Sequence, residues 1–257
     1  MRPRGTRSSV LASMIMISLS MASASAEQAL LRVDYESGEA GAAAAGVRTG
    51  QLRAPDAYQV DCTVARSGRC SLRTHIELTD DYISSGAHRA ESDSAGAEQT
   101  FYSKGERYLY KFSLIVGSDW RPDSRSDIDL VWQFKRTASQ PDMFIAIKGQ
   151  QLVLRIVERE QVVLLPRLPL GVWLDLELTV LWSPANDGTV EATVKNVATG
   201  EAHSHVYRGR NMRDARKRAG YLKWGLYKPA RIKEGADHHP MRSETVWHDD
   251  IAVYRLP

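Results

Sequence analysis

Alternation of apolar and polar residues with a period of two is the feature of this sequence that most limits its fold. It is clear in residues 107–116 (RYLYKFSLIV), 127–135 (DIDLVWQFK) and 172–182 (VWLDLELTVLW). Such a period places successive side chains on opposite faces of a β-strand, whereas a helix needs a period near 3.6 residues. About thirteen segments alternate in this way, and only residues 211–219 favour a helical turn. We therefore predict an all-β chain, folded as a two-sheet antiparallel jelly roll or sandwich.

The predicted strands are separated by turn signals such as residues 149–151 (GQQ) and 183–188 (SPANDG). The strands are predicted at residues 30–35, 57–64, 71–78, 87–92, 107–116, 127–135, 143–148, 152–157, 172–182, 189–197, 203–207, 220–228 and 245–256. The first and last strands are expected to pair, because chain termini tend to lie close together in such folds.

The first 26 residues have the pattern of a secretory signal peptide. Three arginines within the first seven positions are followed by an apolar run at 10–21 and by ASASA at 22–26, an A-x-A cleavage pattern. The apolar run is too short to cross a bilayer as a helix. We expect a single domain over residues 27–257, secreted or periplasmic, with no membrane attachment after the signal is removed.

Bulk charge gives no reason to expect a polyanionic partner. The chain has 34 basic and 31 acidic residues, and the signal segment takes three of the basic residues and no acid, which leaves 31 of each. Binding of a polyanion must therefore depend on local clusters, of which residues 207–218 (YRGRNMRDARKR) are the densest. No nucleic-acid-binding module is visible, so nucleic acid is not an expected partner. The hydrolase and nucleotide motifs G-x-S-x-G, HExxH and the P-loop do not occur.

The two cysteines are expected to form a disulfide. Cys62 and Cys70 lie in the short segment DCTVARSGRC, and an exported protein folds under oxidising conditions. The alternative is a metal or redox pair, but the spacing differs from C-x-x-C and no further cysteine is available.

Three predicted strands have one apolar face and, on the opposite side, one polar face. In residues 220–229 (GYLKWGLYKP), leucine and tryptophan alternate with tyrosine, lysine and glycine, and residues 87–92 (AHRAES) and 131–135 (VWQFK) alternate similarly. If these strands are neighbours, one face gathers Arg89, Glu91, Gln133, Lys135, Tyr221, Lys223 and Tyr227, with Gly225 leaving room for a ligand. On its own strand, Val131 is expected to point to the same side as Gln133 and Lys135. Such groups suit an anionic sugar chain, because arginine clamps carboxylates. The alternative is a solvated face with weak ion pairs.

HRAE, WQFK and YLKWGLY resemble, in that order, the strand motifs of the jelly-roll polysaccharide lyases, a group that includes alginate lyases, glucuronan lyases and the heparin lyase I-like family. The closing VWHDDIAVYR resembles the last strand of the glucuronan and heparin lyase I-like branch. The resemblance covers roughly residues 75–255. It implies a concanavalin-like β-jelly roll whose two curved antiparallel sheets form a concave substrate cleft. It also implies cleavage of a uronic-acid-containing polysaccharide by β-elimination.

The resemblance implies roles for individual residues. Arg89 and Gln133 would bind and neutralise the substrate carboxylate, and Tyr221 would be the catalytic phenol. The residues that would support substrate binding are His88, Glu91, Lys223 and Tyr227, of which Tyr227 is the other candidate for the phenol.

Lys135 departs from the family pattern, which has a histidine two residues after the glutamine. Either Lys135 acts as the cation or base, or His88 or His75 takes the role of the histidine, or the activity is altered or lost. A tyrosine base near pH 7 needs its pKa lowered by about 3 units from about 10, which one cation about 4 Å away can supply.

β-Elimination needs no cofactor, and the resemblance allows a structural calcium at Asp250. The histidine pairs His203/His205 and His238/His239 are interpreted as surface residues. The expected partner is an anionic polysaccharide. The chain is predicted to be a monomer. The alternatives are a non-catalytic carbohydrate-binding jelly roll and an adhesion or structural sandwich.

Overall fold

The computed structural model describes residues 28–50, 52–121, 128–136, 140–157, 160–213, 219–229 and 243–257. These residues form strands and three short 3-10 turns, Ala43–Ala45, Asp80–Tyr82 and Glu98–Thr100, and none of them lies in an α-helix. No helix in this part of the chain is long and apolar enough to span a membrane. The predicted signal peptide, His238/His239 and most of the predicted helical segment 211–219 lie outside the described residues.

The described residues contain sixteen strands. They are β1 (Leu31–Val33), β2 (Arg48–Thr49), β3 (Tyr58–Asp61), β4 (Ser71–Glu77), β5 (Ile83–Ser84), β6 (Ala87–Asp93), β7 (Arg107–Val116), β8 (Asp129–Lys135), β9 (Met143–Lys148), β10 (Gln151–Ile156), β11 (Glu160–Leu165), β12 (Leu174–Leu181), β13 (Thr189–Asn196), β14 (Ala202–Arg208), β15 (Tyr221–Lys228) and β16 (Ser243–Leu256).

The strands form two antiparallel sheets of eight. The first sheet has the order β14-β13-β12-β7-β16-β4-β3, with β1 paired to β16, and the second has the order β11-β10-β9-β8-β15-β6-β2, with β5 paired to β6. The two-sheet all-β prediction is confirmed, and so is the pairing of the first and last strands, since Leu31 lies opposite Val253.

Each of the thirteen predicted strands is present, and three further strands were not predicted. Strands β2 and β5 have two residues each, too few to show a period. Strand β11 (EQVVLL) carries a continuous apolar run instead of an alternating one. It pairs with β10 at the edge of the second sheet, a position that only long-range contacts reveal.

The core lies between the inner faces of the two sheets and is rich in stacked aromatic rings. Phe112 of the first sheet stacks on Trp132 of the second, with ring centroids 3.9 Å apart. Trp224 stacks on Trp132 and donates its indole N–H to the hydroxyl of Tyr35 at 2.7 Å. Full burial of one such side chain contributes about 1.5–3 kcal/mol. This packing anchors β8 and β15, the central strands of the second sheet.

Cys62 and Cys70 form the expected disulfide, with Cα atoms 4.0 Å apart. The loop between them is held by two carboxylates. Asp249 accepts the backbone N–H groups of residues 66 and 67, and Glu36 accepts those of residues 69 and 70. The disulfide loop is therefore attached to β16 of the first sheet.

An irregularity in β8 changes which side chains face outward. Val131 belongs to the main core, so the expectation that it shares a face with Gln133 and Lys135 is wrong. The register against β9 shifts between Leu130 and Trp132, as expected for a β-bulge. A bulge reverses the parity on one side of it, which places Leu130 on the outward face instead.

Candidate active site

The register of the second sheet brings the three motif strands together as β8-β15-β6. Tyr221 lies opposite Lys135, and Lys223 lies opposite Gln133. On the other side of β15, Tyr227 lies opposite Arg89. These side chains share the face of the second sheet that is turned away from the core, which we call the site face.

Glu91 organises the polar groups of the site face. Its side chain is only 4% exposed, and its carboxylate accepts hydrogen bonds from Gln133 Nε2 and, at 2.5 Å, from Lys223 Nζ. Arg89 Nη1 lies 3.7 Å from the same carboxylate. A buried carboxylate is costly unless it is paired and hydrogen-bonded, so Glu91 and its partners hold one another in position.

Arg89 and Tyr227 form a stacked pair. The guanidinium carbon lies 4.2 Å from the centroid of the tyrosine ring. The Nε atom of Arg89 is buried and has no hydrogen-bond partner among the described residues. The planar guanidinium is therefore held by the ring below it while part of its donor capacity stays unused.

Tyr221 and Lys135 have pKa values that burial shifts in opposite directions. Burial and the negative charges of Asp93 and Glu91 raise the pKa of Tyr221. Burial and the nearby Lys223 lower the pKa of Lys135, against a smaller opposing effect of Glu91. Burial penalises the charged form of each group. The lowered tyrosine pKa considered from the sequence is therefore not found, and a neutral phenol lies beside an amine that loses its proton more easily.

His88 and His75 do not join the site face. His88 alternates with Arg89 along β6 and lies opposite Lys228, beside which burial lowers its pKa. Lys228 is itself buried and pairs with Asp129 at 3.0 Å and Glu244 at 3.1 Å.

His75 lies in β4 of the first sheet, where its Nδ1 is 2.8 Å from the hydroxyl of Thr245. Neither histidine is therefore placed to replace the family histidine, which leaves Lys135 in that position.

Gly225 has a backbone role instead of leaving space for a ligand. Its φ is +123°, and a Cβ atom would lie 2.2 Å from the carbonyl oxygen of Ala90 on the neighbouring strand. The pairing of β15 with β8 shifts at the same place, between Trp224 and Tyr227. Only glycine fits this close approach and this φ, so the glycine of the motif shapes the strand that carries Tyr221 and Tyr227.

Two residues that support the site come from the first sheet and were not predicted. The hydroxyl of Tyr58 accepts the backbone N–H of Glu91 at 2.8 Å and lies 3.2 Å from its carbonyl oxygen. His248 Nε2 is 3.1 Å from the carbonyl oxygen of Val131 at the bulge, and burial lowers the pKa of His248 to about 3. A neutral His248 can donate this bond. No local pattern marks either residue, because each acts across the sandwich.

An apolar strip borders the polar groups on the site face and was also not predicted. It consists of Leu130, Ala146 and Val153, with Ile128, Phe144, Val163 and Tyr227 packed against them. Strands β8, β9 and β10 contribute its three buried members. The strip exists because the bulge turns Leu130 outward, and it offers a surface for the C–H faces of sugar rings.

Asp142 fixes the end of β8, next to Lys135. Its carboxylate binds Arg136 through two bonds of 2.6 and 2.9 Å and accepts the hydroxyl of Tyr102 at 3.0 Å. It also accepts the backbone N–H of Arg213, which precedes β15, at 2.8 Å. Bidentate, buried pairs of this kind are strong, so they hold the end of β8, which carries Lys135, to the segment that ends at Arg213.

Asp250 lies away from the site face. Its carboxylate accepts the hydroxyl of Ser67 at 2.6 Å, within the disulfide loop. The described residues contain no group of three or more His, Cys, Asp or Glu suited to a metal ion, and the calcium expectation stays a prediction. Two surface depressions, of about 630 and 720 Å³, also lie beside this loop, and no site-face residue lines them.

The fold and the site face together define a jelly-roll protein that presents a cationic, tyrosine-bearing sheet. A sequence-family model described as Polysaccharide lyase matches residues 37–252. The chain therefore belongs to the polysaccharide lyase family, as the resemblance implied. No curated protein sequence matches the chain.

Solved structures of lyases share the fold. The endo-β-1,4-glucuronan lyase from the fungus Trichoderma reesei superposes with a TM-score of 0.62 at 18% identity, over 80% of this chain and 90% of that chain. The marine alginate lyase from Aplysia kurodai gives 0.54 at 10% identity, over 81% and 90%. The alginate lyase from Corynebacterium sp. gives 0.51 at 12% identity, over 79% and 82%. At these identities the likeness shows the fold, and it confirms the jelly roll.

Proposed function

We propose that this polysaccharide lyase cleaves a uronic-acid-containing polymer by β-elimination, with Lys135 as the base and Tyr221 as the acid. The observation that carries the proposal is the direct cross-strand pairing of Lys135 with Tyr221 beside the cations organised by Glu91. The disulfide suits an oxidising compartment, which supports export of the protein.

The substrate carboxylate would be held by the positive groups around Glu91. Arg89 and Lys223 bring two cationic charges against the single charge of Glu91, and Gln133 adds an amide. Removal of the proton at C5 of the uronate drives negative charge onto the adjacent carboxylate. Donors already in place stabilise that charge without further reorganisation.

Proton transfer would use the deprotonated amine of Lys135 and the phenol of Tyr221. The amine of Lys135 takes the C5 proton, the electron pair of that bond forms the C4–C5 double bond, and the C4–O4 bond breaks. The phenol of Tyr221 protonates the departing O4. Proton transfer from the Lys135 ammonium to the Tyr221 phenolate then restores both groups. The lowered pKa of Lys135 and the raised pKa of Tyr221 suit these roles.

If the sugar ring lies flat on the site face, both groups reach it from the same side, because they project from one sheet face. Elimination from one side requires the C5 hydrogen and the C4 oxygen to lie on the same side of the ring. This holds for 4-linked D-glucuronate and D-mannuronate and fails for L-guluronate. The geometry therefore favours glucuronan or mannuronate-rich alginate as the substrate.

The test is to incubate the mature protein with glucuronan, mannuronate-rich and guluronate-rich alginate, and a heparan-type polymer. Product formation is followed by the ultraviolet absorbance of the C4–C5 double bond. We expect absorbance with glucuronan or mannuronate-rich alginate, and its loss in Tyr221→Phe with polymer binding retained. Full turnover by Tyr221→Phe would contradict the role of Tyr221.

The rival function is carbohydrate binding without catalysis, which Lys135 in the place of the family histidine favours. Binding to one of these polymers with no absorbance under any condition of pH would support it. Absence of both binding and absorbance would support the structural sandwich instead.

A further inference from the structure

A row of directly paired residues crosses the site face beyond the proposed reaction centre. Lys223 on β15 pairs with Gln133 on β8, Gln133 pairs with Phe144 on β9, and Phe144 pairs with Arg155 on β10. In the other direction Lys223 pairs with Asp93 on β6. The row runs perpendicular to the strands, so a polymer lying along it would pass the reaction centre and reach Arg155.

Arg155 is a positively charged residue in this row to which the proposed reaction assigns no role. Leu154 and Ile156 on either side of it point into the core, so Arg155 projects from the site face. Its Nε atom is buried and has no hydrogen-bond partner among the described residues. A bound carboxylate would pair with the guanidinium charge through the planar fork of donors that arginine presents.

The surroundings of Arg155 suit a sugar ring that carries an acid group. Phe144 lies directly opposite it and packs against the apolar strip, where a ring could cover the C–H face of a pyranose. Arg155 lies two strand spacings from Gln133, about 10 Å, which is close to the length of two linked pyranose rings.

The two ends of the row differ in charge. At the β2 end, Asp93 is already paired with Arg48 at 3.1 Å, so that end offers no excess positive charge to a second carboxylate. We propose that Arg155 and Phe144 form a remote subsite that binds a second uronate of the same polymer, two rings from the one at Gln133. This inference rests on the proposed function.

The test is the dependence of KM on substrate length, measured with β-1,4-linked glucuronate oligosaccharides from the trisaccharide upward. In the wild-type protein KM should fall once the oligosaccharide reaches the subsite. Arg155→Met should abolish that fall, which raises KM for the longest oligosaccharides about tenfold with kcat unchanged. Arg155→Lys keeps the positive charge but loses the planar guanidinium. Its KM for the longest oligosaccharides should lie between those of the wild-type protein and Arg155→Met.

Arg107→Met is the matched control, because Arg107 is an exposed arginine on β7 of the other sheet and should keep the wild-type dependence. A wild-type length dependence in Arg155→Met, or an equal rise of KM at every length, would overturn the subsite and leave the proposed lyase intact.

If the wild-type protein cleaves no uronate polymer, the proposed function fails and the subsite is judged by calorimetric titration with polyglucuronate. Weaker binding by Arg155→Met than by Arg107→Met would support the subsite. Equal binding by the two variants, or no binding by the wild-type protein, would overturn it.

Discussion

At the scale of single residues, Lys135 and Tyr221 show how one physical cause produces two different reagents. Burial disfavours the ammonium of Lys135 and the phenolate of Tyr221 alike. The result is an amine that loses its proton more easily, beside a phenol that keeps its proton more firmly. The motif strands and their residue types are readable from the sequence, but the direction of these pKa shifts depends on contacts with Asp93, Glu91 and Lys223 that only folding creates.

The pH dependence of cleavage tests the role of Lys135. A base works when it is deprotonated, so kcat/KM should rise as pH increases through the pKa of Lys135 and fall above the raised pKa of Tyr221. Lys135→His should move the rising limb to lower pH, because the reference pKa of imidazole, near 6.5, lies well below that of lysine, near 10.4.

Lys135→Met should lower kcat by roughly 100-fold or more, the usual contribution of a general base. Lys111→Met, which removes a half-exposed lysine on the first sheet, is the control and should leave the pH profile unchanged. A wild-type rate and profile in Lys135→Met would exclude lysine as the base.

At the scale of elements, β8 and β15, the strands that carry Lys135 and Tyr221, are both irregular. The bulge in β8 turns Leu130 outward and Val131 inward, and Gly225 lets β15 pass close to β6. Alternation along the sequence predicted the faces of Gln133 and Lys135 correctly and failed for Val131. The failure is expected, because a bulge is defined by pairing with another strand and leaves little trace in the bulged strand itself.

The variant Gly225→Ala tests whether β15 requires glycine at its close approach to β6. We expect it to lower the free energy of unfolding by at least about 2–3 kcal/mol, since the new methyl group meets the Ala90 carbonyl and φ becomes strained. Urea unfolding followed by tryptophan fluorescence measures the loss.

Gly149→Ala provides the comparison for Gly225→Ala. Gly149 also has a positive φ, of +58°, but a Cβ atom there meets nothing within 4 Å, so only the conformational cost of roughly 1–2 kcal/mol applies. Equal losses of unfolding free energy in the two variants would show that the close approach of Gly225 to β6 adds nothing to the cost of the substitution.

At the scale of the whole molecule, strands β1 and β16 and the disulfide loop belong to the first sheet, while the site face belongs to the second. Strand β1 pairs with β16, and Asp249 of β16 holds the loop between Cys62 and Cys70. Two hydrogen bonds connect the first sheet to the site strands: Tyr58 binds the backbone of Glu91, and His248 binds the carbonyl oxygen of Val131. Neither contact involves a residue of the disulfide loop, so loss of the disulfide is expected to lower stability without changing the chemistry on the site face.

Removal of the disulfide tests this separation. The cysteines are 8 positions apart, and the loop-closure relation gives a loss of about 2.5 kcal/mol in the free energy of unfolding for Cys62→Ser/Cys70→Ser. Urea unfolding measures the loss, and kcat at a temperature where the variant is folded should match the wild-type value. A large drop of kcat in the folded variant would mean that the loop acts on the site face.

The sequence by itself determined the all-β class, the strands that alternate, the disulfide and the polar groups of the site face, because alternation and motif spacing are local properties of the chain. Tertiary structure alone decided the edge strand β11, the inward turn of Val131, the backbone role of Gly225 and the support from Tyr58 and His248. It also decided the protonation preferences of Lys135 and Tyr221. Each of these depends on which residues from distant segments meet, and on how much water their contact excludes.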